Sequence, residues 1–218
     1  MELLFIRHAE SEGNLHGIMQ GRKDYALSEH GHYQADVLAA FLSHAVFDRQ
    51  PPDFLYCSPL QRARQTAEPL QQRFPELDWT EHADLVEVDS GIFSGLTWDE
   101  AKASHPEICD RFKAVRDWGA VPEGESKQQL WQRAERLLND LQQRHSPGQK
   151  IVLLTHGGLI RAALSVLMGI APDAELFLCI DNTSLSLAGI EGSRRYVRYI
   201  NNTRHLNPCD FKPDYIPR

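Results

Sequence analysis

The residues of this sequence best suited to chemistry are two arginines, two histidines and one carboxylate, each placed shortly after an apolar run. They are Arg7, His8, Arg62, Glu87 and His156. Guanidinium groups bind the oxygens of a phosphate dianion through paired hydrogen bonds. A neutral imidazole can attack phosphorus, and a carboxylic acid can protonate a leaving oxygen. The set therefore suits the chemistry of a phosphate monoester.

The apolar runs that precede these residues predict strands buried on both faces, as in a parallel sheet. They cover residues 3–6, 54–57, 85–86 and 151–155. Ligands of open α/β sheets bind at the carboxyl ends of the strands. We therefore expect the five side chains to meet at one edge of a sheet, with Glu87 at the end of the third strand.

A helix start follows the second predicted strand. Ser58 is a favoured N-cap residue, and Pro59 is favoured at the first helical position. Arg62 then lies in the first turns, so its side chain can reach back to the sheet edge. Pro69 should end or kink this helix, because proline lacks the N–H that a helix interior requires.

Glycines follow His156 and predict an anion site at the start of a further helix. Gly157 and Gly158 let backbone N–H groups approach an anion, and a helix N-terminus favours negative charge. The loop of residues 16–24, which contains Gln20 and Gly21, mixes glycine, amide and cationic groups. We expect this loop to lie over the same edge.

The remaining patterns predict one α/β domain over residues 1–218. Thr97 with Glu100 and Ser126 with Gln129 resemble capping boxes, which start helices. They indicate a helical, cap-like insertion over about residues 97–147. Alternating apolar residues on both sides of a turn near Gly192 predict a hairpin, and so at least one antiparallel strand.

Composition argues against several classes of partner. A net charge of −7 leaves no electrostatic footprint for nucleic acid or an anionic membrane. No apolar run reaches transmembrane length and no signal peptide is present, so we expect a cytoplasmic protein. The four cysteines are scattered without metal-ligand spacing, which indicates reduced thiols and no metal site.

Four motifs, in this order, resemble the signature of the histidine phosphatase superfamily, which also contains the phosphoglycerate mutases. They are RHAESEGN from residue 7, CSPLQRARQTA from residue 57, glutamate 87 ahead of two glycines, and THGG from residue 155. The resemblance runs from Leu3 to about Ser186. It implies a three-layer α/β/α sandwich around a mostly parallel sheet. The family usually has glycine where this chain has Ala9, and a methyl group fits there if φ is negative.

The resemblance also implies a role for each site residue. His8 would be the nucleophile that forms a phosphohistidine, and Glu87 would be the general acid and then the base. Arg7, Arg62 and His156 would bind phosphoryl oxygens, supported by contacts from Asn14, Gln20, Gly21 and Gly157. To attack as a neutral imidazole, His8 should donate its other ring N–H to a backbone carbonyl, and the arginines should depress its pKa. The scheme requires no metal and no cofactor.

Three functions are compatible with these residues: a phosphatase, a phosphoglycerate mutase and a protein that binds phosphorylated ligands without catalysis. The mutases carry a longer, cation-rich insertion after the catalytic glutamate, whereas residues 122–126 here are typical of the phosphatase branch. The presence of all five core residues argues against mere binding. The expected partner is a small-molecule phosphate ester, either α-ribazole phosphate or a sugar or glycerate phosphate. The oligomeric state stays open, including a homodimer.

Overall fold

A computed structural model describes residues 1–47, 51–77, 79–174 and 176–206 of the 218-residue chain. The strands in this part are β1 (Glu2–Arg7), β2 (Phe54–Cys57), β3 (Trp79–Glu81), β4 (Lys150–Thr155), β5 (Leu185–Glu191) and β6 (Arg194–Asn202). The α-helices are α1 (Glu12–Leu15), α2 (Glu29–Phe41), α3 (Gln61–Arg73), α4 (Trp98–Ser104), α5 (Pro106–Val115), α6 (Lys127–Arg144) and α7 (Gly157–Met168). A π-helical turn extends α2 over Leu42–Val46, and 3₁₀ turns cover Ala83–Leu85, Gly91–Phe93 and Trp118–Ala120.

The strands form one mixed sheet in the order β3-β2-β4-β1-β5-β6. The first four strands of the chain are parallel, and β5 is antiparallel to both β1 and β6. The central strands β1 and β4 are apolar between their end residues because both of their faces are covered. The predicted mostly parallel sheet with an antiparallel hairpin is therefore confirmed.

Helices cover both faces of the sheet. Successive side chains of a strand point to opposite faces. Accordingly, Leu3 and Phe5 join a core cluster with α6 and α7, whereas Leu4 and Ile6 join a second cluster with α2 and α3. This arrangement is the predicted three-layer α/β/α sandwich.

The predicted insertion at residues 97–147 divides between two packing environments. Helices α4 and α5 pack around a small separate core that includes Phe93 and Cys109. Helix α6 instead buries Leu137 and Leu141 in the main core, next to α7. Both capping boxes are present, at Thr97 and at Ser126. The single-domain organisation stays a prediction.

The predicted start of α3 is wrong, and so is an end of the helix at Pro69, whereas a kink there stays a prediction. The helix begins at Gln61 with Leu60 as N-cap, and the Gln61 N–H donates to Asp24 Oδ1 at 2.8 Å. Ser58 Oγ accepts from the Leu60 N–H at 3.3 Å, just ahead of the helix. Pro69 does not end the helix, which continues to Arg73. Buried residues on both sides of Pro69, among them Ala67 and Leu70, hold the helix against the sheet and compensate for the lost hydrogen bond.

The expectation that Glu87 ends a strand is also wrong. Leu85 closes a 3₁₀ turn, and Glu87 lies in the loop that follows it. The sheet edge beside β2 is taken by β3 instead. Thr155 Oγ1 donates to Leu85 O at 2.6 Å, so a side-chain hydrogen bond from β4 holds Leu85 next to the sheet.

Two smaller findings concern cysteines and membranes. Cys57, Cys109 and Cys179 form no disulfide, and Cys209 lies outside the described residues. In the described part of the chain, no helix combines the length and the apolar character that crossing a bilayer requires.

Candidate active site

The register of two central strands brings His8 and His156 together. Arg7 of β1 is paired with Thr155 of β4, so the residue after each strand lies beside the other. The His8 N–H donates to Thr155 O at 2.9 Å. The two imidazole rings are buried, and their centroids are 5.0 Å apart.

His8 has one defined tautomer when it is neutral. Its Nδ1 lies 2.7 Å from Ala9 O, and a carbonyl only accepts, so Nδ1 carries the proton and Nε2 keeps its lone pair. Burial, followed by the charges of Arg62 and Arg7, lowers the pKa of His8 well below its ordinary value. The ring is therefore neutral at pH 7. Ala9 has a negative φ, so its methyl group is accommodated without strain.

Arg62 reaches the site from the first turn of α3 and is almost completely buried. Its Nη2 donates to Gly21 O and its Nη1 to Lys23 O, both at 3.0 Å. The buried Nε has no hydrogen-bond partner among the described residues. Burial lowers the pKa of Arg62 to about 10, opposed by the nearby charge of Glu87, so the guanidinium stays protonated at pH 7.

Arg7 lies beside the start of α7. Its Nη1 donates to Ile180 O at 2.5 Å. A Cβ built on Gly157 would be 3.6 Å from Arg7 Nε and 3.7 Å from Arg161 Nη2, so two guanidinium groups flank this glycine. Arg161 is held by a 2.8 Å hydrogen bond to Leu178 O. The sequence analysis missed Arg161, although its spacing of four from Gly157 places it on the same helix face.

His156 is held by a serine that was expected to cap a helix. Its Nε2 lies 2.7 Å from Ser58 Oγ, because Ser58 follows β2 and its N–H donates to Leu154 O of β4. The buried Nδ1 of His156 has no hydrogen-bond partner among the described residues. Burial and then the charge of Arg62 lower the pKa of His156 well below its ordinary value.

The carboxylate of Glu87 lies at the N-terminus of α7. Its Oε1 accepts from the Val88 N–H at 2.8 Å and from the Gly158 N–H at 3.0 Å. A Cβ on residue 158 would overlap Oε1, so only glycine lets the carboxylate approach this closely. The expected anion contact of Gly158 is therefore made to Glu87 of the same chain.

Asn14, Gln20 and Gly21 lie around the same edge with different contacts. The Ser11 N–H donates to Asn14 Oδ1 at 3.1 Å, and Ser11 Oγ lies 2.8 Å from Gln20 Oε1. Gly21, with a φ of +51°, turns its carbonyl toward Arg62. Asn182, which the sequence analysis did not single out, donates to His8 O at 2.9 Å and so braces the backbone of His8.

A family model matches almost the whole chain. The model of the histidine phosphatase superfamily (branch 1) matches residues 3–203. The chain belongs to this superfamily. The motifs that carried the resemblance thus lie in a chain that matches the family over almost its whole length.

Similar proteins place this histidine phosphatase among enzymes that remove phosphate. The curated "Phosphoserine phosphatase 1" of Hydrogenobacter thermophilus is 32% identical over 206 residues, which cover 94% of each chain. A "Metal-independent phosphoserine phosphatase" of Arabidopsis thaliana is 27% identical and covers 96% of this chain and 85% of its own. The alpha-ribazole phosphatase of Shigella flexneri superposes with a TM-score of 0.81 at 25% identity, with coverage of 93% and 96%. The protein is a phosphatase.

The side chains that could bind an anion in this histidine phosphatase are guanidinium and imidazole groups. Among the described residues, no group of three or more His, Cys, Asp or Glu side chains is arranged to hold a metal ion. The side chains that the structure brings together are those of Arg7, His8, Arg62, Glu87 and His156, with the Gly157 backbone beside Arg7.

Proposed function

We propose that this phosphatase hydrolyses small phosphate monoesters through a phosphohistidine on His8, without a metal ion. The observation that carries the proposal is the 2.7 Å hydrogen bond from His8 Nδ1 to Ala9 O. It directs the lone pair to Nε2 of a buried, neutral ring that two arginines flank. A nitrogen with this geometry can attack phosphorus without first losing a proton.

In the proposed first step, Nε2 forms a bond to phosphorus while the bond from phosphorus to the ester oxygen breaks. Protonated Glu87 gives its proton to that oxygen, and the alcohol leaves. In the second step, Glu87 takes a proton from water, whose oxygen attacks phosphorus and breaks the P–N bond. Inorganic phosphate leaves, and both side chains return to their starting states.

Arg7, Arg62 and His156 are proposed to bind the phosphoryl oxygens. The buried Arg62 Nε and His156 Nδ1, which have no partner among the described residues, support this assignment. Each hydrogen bond between a guanidinium and the phosphoryl group contributes about 1.5–3 kcal/mol. Asn14, Gln20 and Gly157 are proposed as supporting contacts. The part of Gly21 is indirect, because its carbonyl orients Arg62.

The proposed substrate is a small phosphorylated metabolite. The relatives named above act on phosphoserine or α-ribazole phosphate, and both compounds are monoesters of an alcohol. The candidate substrates are thus phosphoserine, α-ribazole phosphate, and sugar and glycerate phosphates. The cytoplasmic location and the oligomeric state stay predictions.

The test is a screen of phosphorylated metabolites in EDTA with the wild type and His8→Ala. We expect turnover in the chelator, and a loss of at least about 10³-fold in His8→Ala, because the nucleophile is gone. A rapid-quench experiment should trap an acid-labile phosphoenzyme in the wild type alone. His32→Ala, which changes an exposed histidine, is the matched control.

Either of two outcomes would contradict the proposal. One is substantial turnover by His8→Ala, and the other is activity that EDTA abolishes and a divalent cation restores. A phosphoglycerate mutase would instead transfer the phosphoryl group back to substrate and respond to bisphosphoglycerate, and the same assays report this.

A further inference from the structure

We infer that Arg133 is a positioning residue for Glu87, and that it acts through the loop backbone while Glu125 holds its guanidinium in place. The inference rests on the proposed role of Glu87 as general acid. It assigns a task in the reaction to a buried ion pair that hydrogen-bonds to neither His8 nor His156, although the charge of Arg133 helps to lower the pKa of His156.

Glu87 needs such support because no strand carries it. It lies two residues beyond a 3₁₀ turn, where the hydrogen bonds of a sheet do not reach. Arg133 supplies the missing partners from α6. Its Nη1 donates to Asp84 O at 2.8 Å and to Val86 O at 2.7 Å, and its Nη2 donates to Glu87 O at 3.3 Å. One planar guanidinium thus binds three carbonyls of the backbone that leads into Glu87, and Arg22 Nε adds a longer hydrogen bond to Glu87 O at 3.5 Å.

Glu125 takes the two remaining donors of Arg133. Arg133 Nε donates to Oε1 at 2.8 Å, and Nη2 donates to Oε2 at 2.6 Å. All five N–H groups of the guanidinium therefore have an acceptor within the protein. Arg133, which is only 5% exposed, has no donor left for a substrate. This saturation separates a positioning residue from a ligand-binding one.

Glu125 remains ionised for this task. Burial alone would raise the pKa of Glu125, but the hydrogen bonds and charge of Arg133, with the charge of Arg22, lower it below its ordinary value. Removing either partner would leave the other charge buried without compensation, which is strongly destabilising. The pair is thus maintained at the pH of catalysis.

The ion pair also connects Glu87 with the loop that holds Arg62. Arg22 Nη2 lies 3.3 Å from Glu125 Oε2, and Arg22 directly follows Gly21, whose carbonyl accepts from Arg62. Arg133 itself sits on a rigid element, since the neighbouring Ala134 and Leu137 are in the main core. One network of hydrogen bonds and ion pairs can therefore fix the position of Glu87 relative to Arg62.

A cleft of about 410 Å³ beside this network supplies a matched control. Arg133 and Arg136 both line it. The side chain of Arg136 is 62% exposed, and its salt bridge is a 3.5 Å contact with Asp84 Oδ1. Arg136→Gln removes a cation from the same helix and the same cleft without touching the backbone of residues 84–87.

The experiment compares two substrates that differ in their need for an acid. An alkyl phosphate such as phosphoserine or glycerol phosphate requires protonation of its leaving oxygen. The leaving group of p-nitrophenyl phosphate departs as a stable phenolate and needs no proton. For Arg133→Lys and Arg133→Gln we expect kcat/KM to fall at least about tenfold more for the alkyl ester than for the aryl ester. Lysine should not rescue, because it lacks the planar fork. Arg136→Gln should behave as the wild type.

Glu125→Gln is the second variant and is milder than the Arg133 variants, because the amide keeps one acceptor oxygen and Arg133 keeps its three backbone acceptors. It leaves the guanidinium in place but weakens its hold, so we expect the same selective loss to a smaller degree. Equal losses on both substrates in the folded variants, as judged by thermal melting, would mean a merely structural role and would overturn the inference.

Glu87→Gln separates this inference from the proposed function. Activity on alkyl esters could fall selectively in Glu87→Gln but not in the Arg133 and Glu125 variants. Such a result would support Glu87 as the general acid and refute its positioning by Arg133. If Glu87→Gln itself shows no selective loss, the proposed role of Glu87 fails, and the inference fails with it.

Discussion

The nitrogens of the site fall into two groups according to where their hydrogen bonds go. Those of Arg133 and the Gly158 N–H are used within the protein and build the support of Glu87. The Nε of Arg62 and the Nδ1 of His156 are buried without a partner among the described residues. An unpaired buried polar atom costs about 1–3 kcal/mol, which binding of a phosphoryl oxygen would offset.

Ser58 offers a test of this division at a single atom. In Ser58→Ala, His156 Nε2 loses its partner at 2.7 Å and the ring loses a fixed orientation, while the Leu60 N–H loses a longer hydrogen bond of 3.3 Å. We expect kcat/KM to fall about tenfold, which corresponds to about 1.4 kcal/mol, together with weaker inhibition by inorganic phosphate. Steady-state kinetics with phosphate as inhibitor measures both effects.

Ser104→Ala is the control for this substitution, because its hydroxyl bonds only to carbonyls of its own helix at Glu100 and Ala101. If Ser58→Ala keeps wild-type kinetics and phosphate inhibition, the hydrogen bond to His156 has no part in binding the phosphoryl group.

Among the elements, parallel strand register does most to assemble the site. The pairs Arg7 with Thr155 and Cys57 with Leu154 bring the residues after β1, β2 and β4 to one edge. Helix α2 then closes over the segment that follows His8, where Ser28 Oγ donates to Glu10 Oε1 at 2.8 Å. The segment after the nucleophile therefore lies between the sheet and helix α2.

At Gly31, helix α2 lies close against the backbone of that segment. A Cβ there would overlap Glu10 O, and the backbone on both sides leaves no flexible atom to move. We expect Gly31→Ala to lower the free energy of unfolding by about 2–4 kcal/mol, because overpacking displaces α2 from the loop after His8. Urea unfolding followed by circular dichroism measures the change.

The neighbouring His32 is exposed, so His32→Ala should change the free energy of unfolding by less than about 0.5 kcal/mol. Equal stability of Gly31→Ala and the wild type would show that the contact between α2 and Glu10 is loose in solution.

At the scale of the whole molecule, the protein has a negative net charge, whereas its buried site gathers cationic side chains. The chain carries −7 overall, while Arg7, Arg62 and two imidazoles are gathered at one edge of the sheet. Burial of imidazoles also gives the fold a pH dependence. The pKa values of His8 and His156 are lowered well below 6.5, and burial lowers that of His205 to about 4.

The sign of this dependence follows from proton linkage. Below pH 6.5 the unfolded chain binds protons at these histidines more readily than the folded protein does, so stability falls with falling pH. For His205 the loss begins near pH 6.5 and is complete near pH 4. We expect the wild type to lose about 1–2 kcal/mol between pH 7 and pH 5 through His205, and His8 and His156 lower the stability in the same direction.

Urea unfolding of His205→Gln at both pH values isolates one of these contributions. Glutamine can keep the contact with Thr183 Oγ1, which lies 3.0 Å from His205 Nε2, and it does not titrate. The loss between pH 7 and pH 5 should be smaller in this variant than in the wild type and in the control His32→Gln. An unchanged pH dependence would show that His205 is solvated in solution.

Much of this protein could be read from its sequence, and the two failures have separate causes. The strands before His8 and His156 were predicted correctly because buried parallel strands appear as uninterrupted apolar runs that stop at a polar residue. The two-residue run before Glu87 was too short to form a strand, and β3 took its place at the sheet edge. The start of α3 was misplaced because its cap comes from Asp24, far away in the sequence.

The sequence by itself determined the chemical groups of the site, the family and the layered architecture, since these depend on residue type and on short-range patterns. Only the tertiary structure decided which atoms those groups contact. Ser58 meets His156 through strand register, and Arg133 reaches the backbone of Glu87 from a helix 46 residues further along the chain. Contacts of this kind depend on how elements pack against one another, and no local sequence pattern specifies that packing.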